Sequence, residues 1–404
     1  MTARRGPWDP WDERPPASPA PPPEPTAETD AVAQFPCPGC GATLRYAPGM
    51  RSLVCGFCGT ESELPEAEAA DRRAAIEEQD YREALEGLAT AASQEVTQVL
   101  SCDNCGAHVE FDPDEHAAVC PFCASPVVAE AAPDRHIRPQ GLLPFAIDQR
   151  EARDAVRRWL AGRWFAPNGL KDYARKRPLS GVYTPWWTFD AKTESAYAGR
   201  RGDVYMQRVG SGKNARMVTR VRWRPARGRA RRVFDDVLAL GATSLPPAAR
   251  DGLGLWDLSQ LEPYRREWLA GFRAEAYTID LREAHHAARR DMEQVIRGDV
   301  RRAIGGDRQI IERLDTRVWD VTFKHVLLPV WIGAYRWRGE SYRIVVNGRT
   351  GQVWGERPWS WLKIAIAMAL ALAAAGAALW LAEAGGAFED IRFQGGYGGG
   401  FRLE

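Results

Sequence analysis

Residues 37–58 read CPGCGATLRYAPGMRSLVCGFC, and residues 102–123 read CDNCGAHVEFDPDEHAAVCPFC. In both stretches two C-x-x-C pairs are separated by 14 residues, so the chain contains an internal duplication. Two residues between cysteines let both sulfurs reach one ion at about 2.3 Å. Each stretch therefore predicts a four-cysteine metal site, and a fold of about 30 residues would draw most of its folding free energy from the metal.

The eight cysteines of the chain all belong to these pairs. In a cytosolic setting, C-x-x-C pairs are typical of metal ligation rather than of disulfides. Four thiolates leave no coordination position for water, so the pattern favours two structural Zn²⁺ ions over metal catalysis. Iron in a rubredoxin-like site is the alternative, because it uses a similar sulfur cage. The predicted ligands are Cys37, Cys40, Cys55, Cys58, Cys102, Cys105, Cys120 and Cys123.

A second informative stretch is Ile364–Ala382, whose 19 residues carry no charge. As a helix it would extend roughly 28 Å, which matches the core of a bilayer. Arg357 and Lys363 precede it and acidic residues follow it, so the positive-inside bias predicts a single-pass protein of the cell membrane with cytoplasmic N-terminal domains. A buried Ala-rich core helix is the alternative interpretation.

The stretch that follows Pro133 is rich in aromatic residues and arginine, which indicates a third domain. Asp148 and Glu151 have capping-box spacing and predict a helix at its start. Val182–Asp190 and Val326–Ala334 share a Pro-x-Trp pattern, which suggests a second duplication built from strands. Asn347-Gly348 predicts a hairpin turn. The residues at helical spacing that predict one long helix are Leu281, His285, Ala288, Met292 and Val295.

These patterns predict an α+β multidomain protein with two small four-cysteine zinc ribbons, an α+β domain with antiparallel strands and one C-terminal transmembrane helix. Between the ribbons, alanine and charged residues with sparse apolar positions predict a solvated helical connector. The predicted segments are a Pro-rich disordered arm (1–34), ribbon 1 (35–63), the helical connector (64–98), ribbon 2 (99–130), the α+β domain (135–359), the transmembrane helix (362–382) and a Gly-rich tail (383–404).

The sequence does not predict an active site. His285 lies on the apolar stripe and His325 precedes an apolar run, and no carboxylate or cysteine at a recognised spacing completes a site with them. Gly210-Ser-Gly-Lys213 is similar to a phosphate loop, but Gln207 stands where the first glycine is required and Asn214 stands where Ser or Thr would hold magnesium. We therefore expect a protein that is not an enzyme.

The net charge is +1, and the one local imbalance runs from Gly199 to Arg232, with 11 arginines and Lys213 against the single acid Asp203. Clustered arginine can contact nucleic-acid phosphates or anionic lipid. A solvated ribbon with an Arg-rich outer face explains the pattern equally well. The candidate anion contacts are Arg200, Arg201, Arg220, Arg222, Arg224, Arg227, Arg229, Arg231 and Arg232.

Three stretches and the paired cysteines resemble a bacterial family of membrane-anchored double zinc-ribbon proteins, often labelled primosomal protein N′ (replication factor Y). The stretches are Tyr183-Thr-Pro-Trp-Trp-Thr-Phe-Asp190, Phe323-Lys-His-Val-Leu-Leu-Pro-Val-Trp331 and Val346-Asn-Gly-Arg-Thr-Gly351, and the likeness covers roughly residues 35–360. Some family members are encoded near phage-shock and flotillin-like proteins, so the resemblance implies a role in membrane stress or membrane organisation. The helicase label does not carry over, because the chain lacks a phosphate loop.

From these features we expect a non-enzymatic adaptor that is anchored in the membrane and docks an unidentified protein partner through its ribbons. The alternative is a nucleic-acid-binding ribbon protein held at the membrane. Acidic residues in and around the ribbons favour the adaptor, because an acidic surface repels a polyanion.

Overall fold

A computed structural model of the chain describes residues 35–87, 94–110, 118–123, 125–127, 132–165, 179–211, 216–337 and 340–384. The predicted Pro-rich arm and all but the first two residues of the predicted Gly-rich tail lie outside these residues. The helices are α1 (Ala69–Ile76), α2 (Tyr81–Gly87), α3 (Gln149–Ala161), α4 (Pro247–Gly252), α5 (Leu281–Ile304) and α6 (Trp361–Ala384).

The strands of the N-terminal part are short. They are β1 (Leu44–Tyr46), β2 (Ser52–Cys55), β3 (Glu61–Glu63), β4 (Gln79–Asp80), β5 (Gln94–Ser101), β6 (His108–Glu110), β7 (Ala118–Val119), β8 (Pro126–Val127), β9 (Ala132–Ile137) and β10 (Gly141–Leu142). The remaining strands are β11 (Ser180–Val209), β12 (Arg216–Leu240), β13 (Glu262–Pro263), β14 (Arg273–Ala274), β15 (Arg308–Trp337), β16 (Glu340–Asn347) and β17 (Val353–Gly355).

A nine-stranded sheet forms the centre of the molecule, with the order β12-β11-β15-β10-β13 and with β4, β14, β16 and β17 joined at its sides. β11 and β15 each contain 30 residues and run antiparallel along most of their length. At about 3.3 Å per residue, a strand of this length extends about 100 Å. Mixed α and β structure with largely antiparallel pairing is therefore confirmed, although β10 pairs with β15 and β14 with β11 in parallel.

The two similar segments of the sequence lie side by side at the heart of this sheet. Thr184 pairs with Leu328 and Trp187 with His325 in the antiparallel β11–β15 register. Trp186 and Trp187 are both fully buried, because central strands carry apolar residues on both faces. The shared Pro-x-Trp pattern thus marks the best-buried part of the sheet.

At one level of the sheet, β12 and β15 each carry an extra residue opposite β11, which forms a β-bulge in each of these two strands. The β11–β12 register shifts between Phe189 and Ala191, and the β11–β15 register shifts between Asp190 and Lys192. Asp236 and Asp320, on the two partner strands, both have φ of 51°. Aspartate tolerates this left-handed conformation better than most residues, which explains its use at both positions.

The predicted helices of this domain are confirmed. The Asp148 side chain accepts from the Glu151 amide at 2.7 Å and the Glu151 side chain accepts from the Asp148 amide at 2.8 Å, so α3 begins with a capping box. Leu281, His285, Ala288 and Met292 form the buried stripe of α5. The expectation for Val295 is wrong, because it is 39 % exposed and the stripe continues instead through Ile296.

The predicted single helix between the ribbons is wrong. Two short helices, α1 and α2, are separated by β4, and β5 follows after residues that are not described. β4 pairs with β15, and Tyr81 at the start of α2 is fully buried among the core residues beneath α5. Contacts with residues that are distant in the sequence thus hold this segment on the sheet. The few apolar residues of the segment did not predict these contacts.

The hairpin around Asn347 is confirmed, since β16 pairs antiparallel with β17. Its left-handed residue is Gly351, with φ of 74°, rather than Gly348. The Asn347 side chain accepts from the amides of Arg349 and Thr350 at 2.8 and 3.1 Å, and this turn closes the loop.

The C-terminal helix α6 contains the predicted apolar segment. Residues 361–381 are long and apolar enough to cross a membrane, and none of them is buried. The alternative of a buried core helix is therefore wrong. At its start, Lys363 Nζ donates to the Trp164 carbonyl at 3.0 Å, and Arg357 lies 4.6 Å from the ring centre of Trp359.

Candidate metal centres

The four cysteines of the first unit converge on one point. Their sulfur atoms lie within 4.8 Å of one another, with 3.5 Å between Cys37 and Cys58 and 3.5 Å between Cys40 and Cys55. A tetrahedral ion with bonds of about 2.3 Å requires sulfurs roughly 3.8 Å apart, so the cluster needs only slight expansion.

The second unit repeats this geometry. Its sulfurs also lie within 4.8 Å of one another, with 3.6 Å between Cys102 and Cys123 and 3.6 Å between Cys105 and Cys120. The first and fourth cysteines face each other in both clusters, as do the second and third. The duplication seen in the sequence is therefore a duplication of metal-site geometry.

Glycines next to the cysteines make the tight turns possible. Gly41 and Gly106 follow the second cysteine of each unit with φ of 74° and 71°. Their amides donate to the carbonyls of Cys37 and Cys102 at 2.8 and 2.7 Å. A residue with a Cβ would be strained in this conformation, so the glycine fixes the path of the chain beneath the sulfurs.

Hydrogen bonds among the thiols lower the pKa of some cysteines and raise that of others. A hydrogen bond with the Thr60 hydroxyl, 3.1 Å away, is the largest cause that lowers the pKa of Cys58 to about 6. A hydrogen bond with the Cys105 thiol likewise lowers the pKa of Cys120 to about 5. The Ala42 amide lowers the pKa of Cys40, but hydrogen bonds with Cys58 and Cys55 raise it to about 12. A divalent cation that binds such a cluster displaces the protons that remain on its thiols.

Both units are docked on the central domain through equivalent strands. The Tyr46 amide of β1 donates to the Ala270 carbonyl at 2.9 Å, and its ring lies 5.1 Å from that of Trp268. In the second unit the Ala276 amide donates to the His108 carbonyl of β6 at 2.9 Å. The units therefore share one short stretch of the central domain as their support.

Glu275 lies in this shared stretch and was not singled out by the sequence. It is 2 % exposed and forms a β-bridge with Val109 of the second unit. Burial holds the pKa of its carboxyl well above the usual range. A lone glutamate after an Arg-Ala pair carries no sequence signal, because only the fold brings it beside the cysteine unit.

A second cluster of ionisable groups lies at the bulges. The carboxylates of Glu78, Asp190 and Asp235 have oxygens within 4.8 Å of one another. Lys324 Nζ lies 3.2 Å from Glu78 and 2.8 Å from Asp236, so a buried ammonium places one positive charge beside these carboxylates. The cluster thus acts as a charge network that ties β4 to the sheet.

His285 and His325 lie in packed positions. His285 is 1 % exposed, with its ring centre 4.2 Å from that of Tyr81. His325 stacks on Trp187 at 4.5 Å, and its Nδ1 lies 2.8 Å from the Ile137 carbonyl. Of the sequence Gly210-Ser-Gly-Lys213, Gly212 and Lys213 lie outside the described residues. The flanking strands β11 and β12 pair antiparallel, whereas a phosphate loop leads into a helix.

The structure divides the candidate anion contacts into two groups. Several of the arginines are engaged within the chain: Arg200 with Glu312, Arg201 with Asp203, Arg229 and Arg231 with Glu194, and Arg232 with Asp299. In the part of the chain that the structure describes, Arg220, Arg222, Arg224 and Arg227 form no ion pair, and Arg222 lies 5.1 Å from the ring centre of Tyr205. β12 is an edge strand of the described sheet, and charged side chains on an edge prevent pairing with other chains.

Comparison with known proteins gives one distant relative of unknown role. The chain is 24 % identical over 339 residues to the uncharacterized protein YdjG of Bacillus subtilis (strain 168), which covers 81 % of this chain and 90 % of YdjG. No family model matches the chain. No solved structure matches it.

Proposed function

We propose that this chain is a non-enzymatic adaptor, anchored in the membrane by α6, in which two structural zinc ribbons present a docking surface to a protein partner. The observation that carries the proposal is the closure of both cysteine clusters. Each contains four sulfurs within 4.8 Å, so a tetrahedral ion would have all its positions filled by protein. Such a centre stabilises a fold and leaves no position for a substrate.

We propose zinc as the ion of both clusters, and both units are also part of the packed core. Cys37 and Cys55 lie in one core cluster, and Cys102, Cys120 and Cys123 lie in another. A redox-inactive d¹⁰ ion contributes folding free energy there without chemistry. Colourless purified protein would support zinc, whereas visible thiolate-to-iron absorption would support the alternative.

The topology follows from the charges beside α6. Arg357 and Lys363 are at its N-terminal end, and we place this end on the cytoplasmic side by the positive-inside rule. The two cysteine units and the central sheet would then face the cytoplasm at the inner surface of the membrane. From this position the cysteine units could contact a partner that acts in membrane stress or membrane organisation, the role that the family resemblance implies.

Crosslinking in intact cells tests the adaptor role. The full chain and a variant with Cys40→Ser and Cys58→Ser would be crosslinked in parallel, and proteins joined to each would be identified. We expect a protein partner that is joined to the full chain and lost from the variant. Crosslinks to nucleic acid that still form in isolated membranes held in about 0.5 M salt, which screens nonspecific phosphate contacts, would favour the nucleic-acid-binding alternative.

A further inference from the structure

The third and fourth cysteines of both units enclose an aromatic residue. The first unit contains Cys55-Gly-Phe-Cys58 and the second contains Cys120-Pro-Phe-Cys123, so Phe57 and Phe122 are equivalent positions of the duplication. Both sit on the tight turn between two metal ligands. A side chain on such a turn would be held rigidly once a metal is bound, because a sulfur–metal bond would then fix the backbone on either side.

In the second unit this turn is inserted into the central domain. Residues 120–123 are all buried, and Phe122 has 0 % exposure. It belongs to the same core cluster as Val182 of β11, Val326 of β15 and Leu245. The fold thus contains one example of what this turn does: its phenylalanine fills an apolar pocket.

In the first unit the same turn faces solvent. Phe57 is 87 % exposed, and its neighbours Gly56, Cys58 and Gly59 are exposed as well. β1 of this unit is docked on the central domain as β6 of the second unit is, so the unit itself is anchored while its turn remains uncovered. Phe57 is exposed and Phe122 is buried because, among the described residues, no surface covers the turn of the first unit. The turns themselves are equivalent.

We infer that Phe57 is the anchor by which this chain docks its protein partner, entering an apolar pocket as Phe122 does within the chain. This inference rests on the proposed adaptor function and assigns the contact residue. Glu61 and Glu63 are exposed on β3, directly after the turn. Charge complementarity therefore requires basic residues at the rim of the partner pocket, and the same acids oppose stacking of Phe57 on a nucleic-acid base.

Rigid aromatic anchors in a pocket are typical interface hot spots. Loss of the Phe57 ring should weaken partner binding about 30-fold or more, since a hot-spot side chain contributes at least about 2 kcal/mol. The fold should be unaffected, because the ring makes no buried contact in the described structure.

The test places a photo-crosslinking phenylalanine analogue at position 57 of the full chain in intact cells. A control carries it at Leu255, which is 94 % exposed on the central domain. We expect position 57, and not position 255, to join one partner protein at a site of apolar residues flanked by Lys or Arg. A crosslink to nucleic acid, to a second copy of this chain or to an acidic site, or equal capture from both positions, would overturn the inference.

Substitution separates this inference from the proposed function. Phe57→Ser should lose the partner while its metal content and thermal unfolding stay unchanged, whereas Phe122→Ser should lower the unfolding temperature. If the whole-cell crosslinking described above finds a partner that Phe57→Ser still binds, the adaptor function stands and the assignment of Phe57 fails. If no partner is found from any position, both fail.

Discussion

Replacement of Lys324 by methionine should destabilise the protein strongly, because it leaves a group of carboxylates without their counter-charge. Lys324 is 5 % exposed, and its ammonium lies 2.8 Å from Asp236 and 3.2 Å from Glu78. Despite burial, which lowers it, the pKa of Lys324 is raised by its hydrogen bond to Asp236 and by the neighbouring acids. Methionine keeps most of the apolar stem and removes only the charge.

The magnitude follows from the unequal burial of the partners. Loss of one member of a fully buried pair costs about 3–5 kcal/mol, and loss of an exposed pair costs about 0–1 kcal/mol. The side chain of Lys324 is 6 % exposed, while those of Glu78 and Asp236 are 30 % and 31 % exposed. We therefore expect a loss of about 2–3 kcal/mol in the free energy of unfolding at neutral pH.

The loss should shrink at acidic pH. Without the ammonium, the carboxylates hold protons more tightly in the folded state, and protonation at about pH 5 relieves their repulsion. The assay is denaturant unfolding of the detergent-solubilised full chain at several pH values. Lys192→Met is the matched control, since Lys192 lies 2.9 Å from Asp320 but the side chains are 53 % and 59 % exposed. A Lys324→Met loss no larger than that of the control would refute the reasoning.

Three further outcomes are expected. Burial is the largest cause that raises the pKa of Asp190 from 3.8 to about 7. The stabilisation that comes from this bound proton is complete below about pH 4 and is lost as the pH rises through 7. Asp190→Asn removes this titration, so the unfolding temperature of the variant should fall less over that pH range than that of the unmodified chain. Gly199→Ala would press a methyl group onto the Ile310 carbonyl and should cost about 1–3 kcal/mol, whereas Gly298→Ala has open space and should be neutral or stabilising in the same unfolding assay. Protease added to intact cells should remove a C-terminal tag and spare the cysteine units, and cleavage of the units would contradict the proposed orientation.

The features that the sequence predicted well depend on neighbours along the chain. Metal-ligand spacing, the capping box at Asp148 and the apolar stripe of α5 are all local patterns, and the structure contains each of them. The features that the sequence missed depend on distant partners. The docking of Tyr81 beneath α5 and the burial of Glu275 both require the fold to be known.

The duplication shows this limit most clearly. Phe57 and Phe122 occupy equivalent positions in two units with the same cysteine spacing, yet one is 87 % exposed and the other fully buried. The difference arises from which part of the central domain each turn meets, a long-range property that no spacing or composition records. The same holds for the arginines of β11 and β12, whose ion pairs depend on the strand register.

Metal content tests the central claim most directly. Elemental analysis of the full chain, purified in detergent without oxygen or chelators, should give two zinc ions per chain and no iron. Cys40→Ser should lower the value to about one, because the two clusters share no ligand and each binds its own ion. Fewer than about 1.5 zinc ions in the unmodified chain, a margin that allows for partial loss of metal, or a stoichiometric amount of iron would contradict the account.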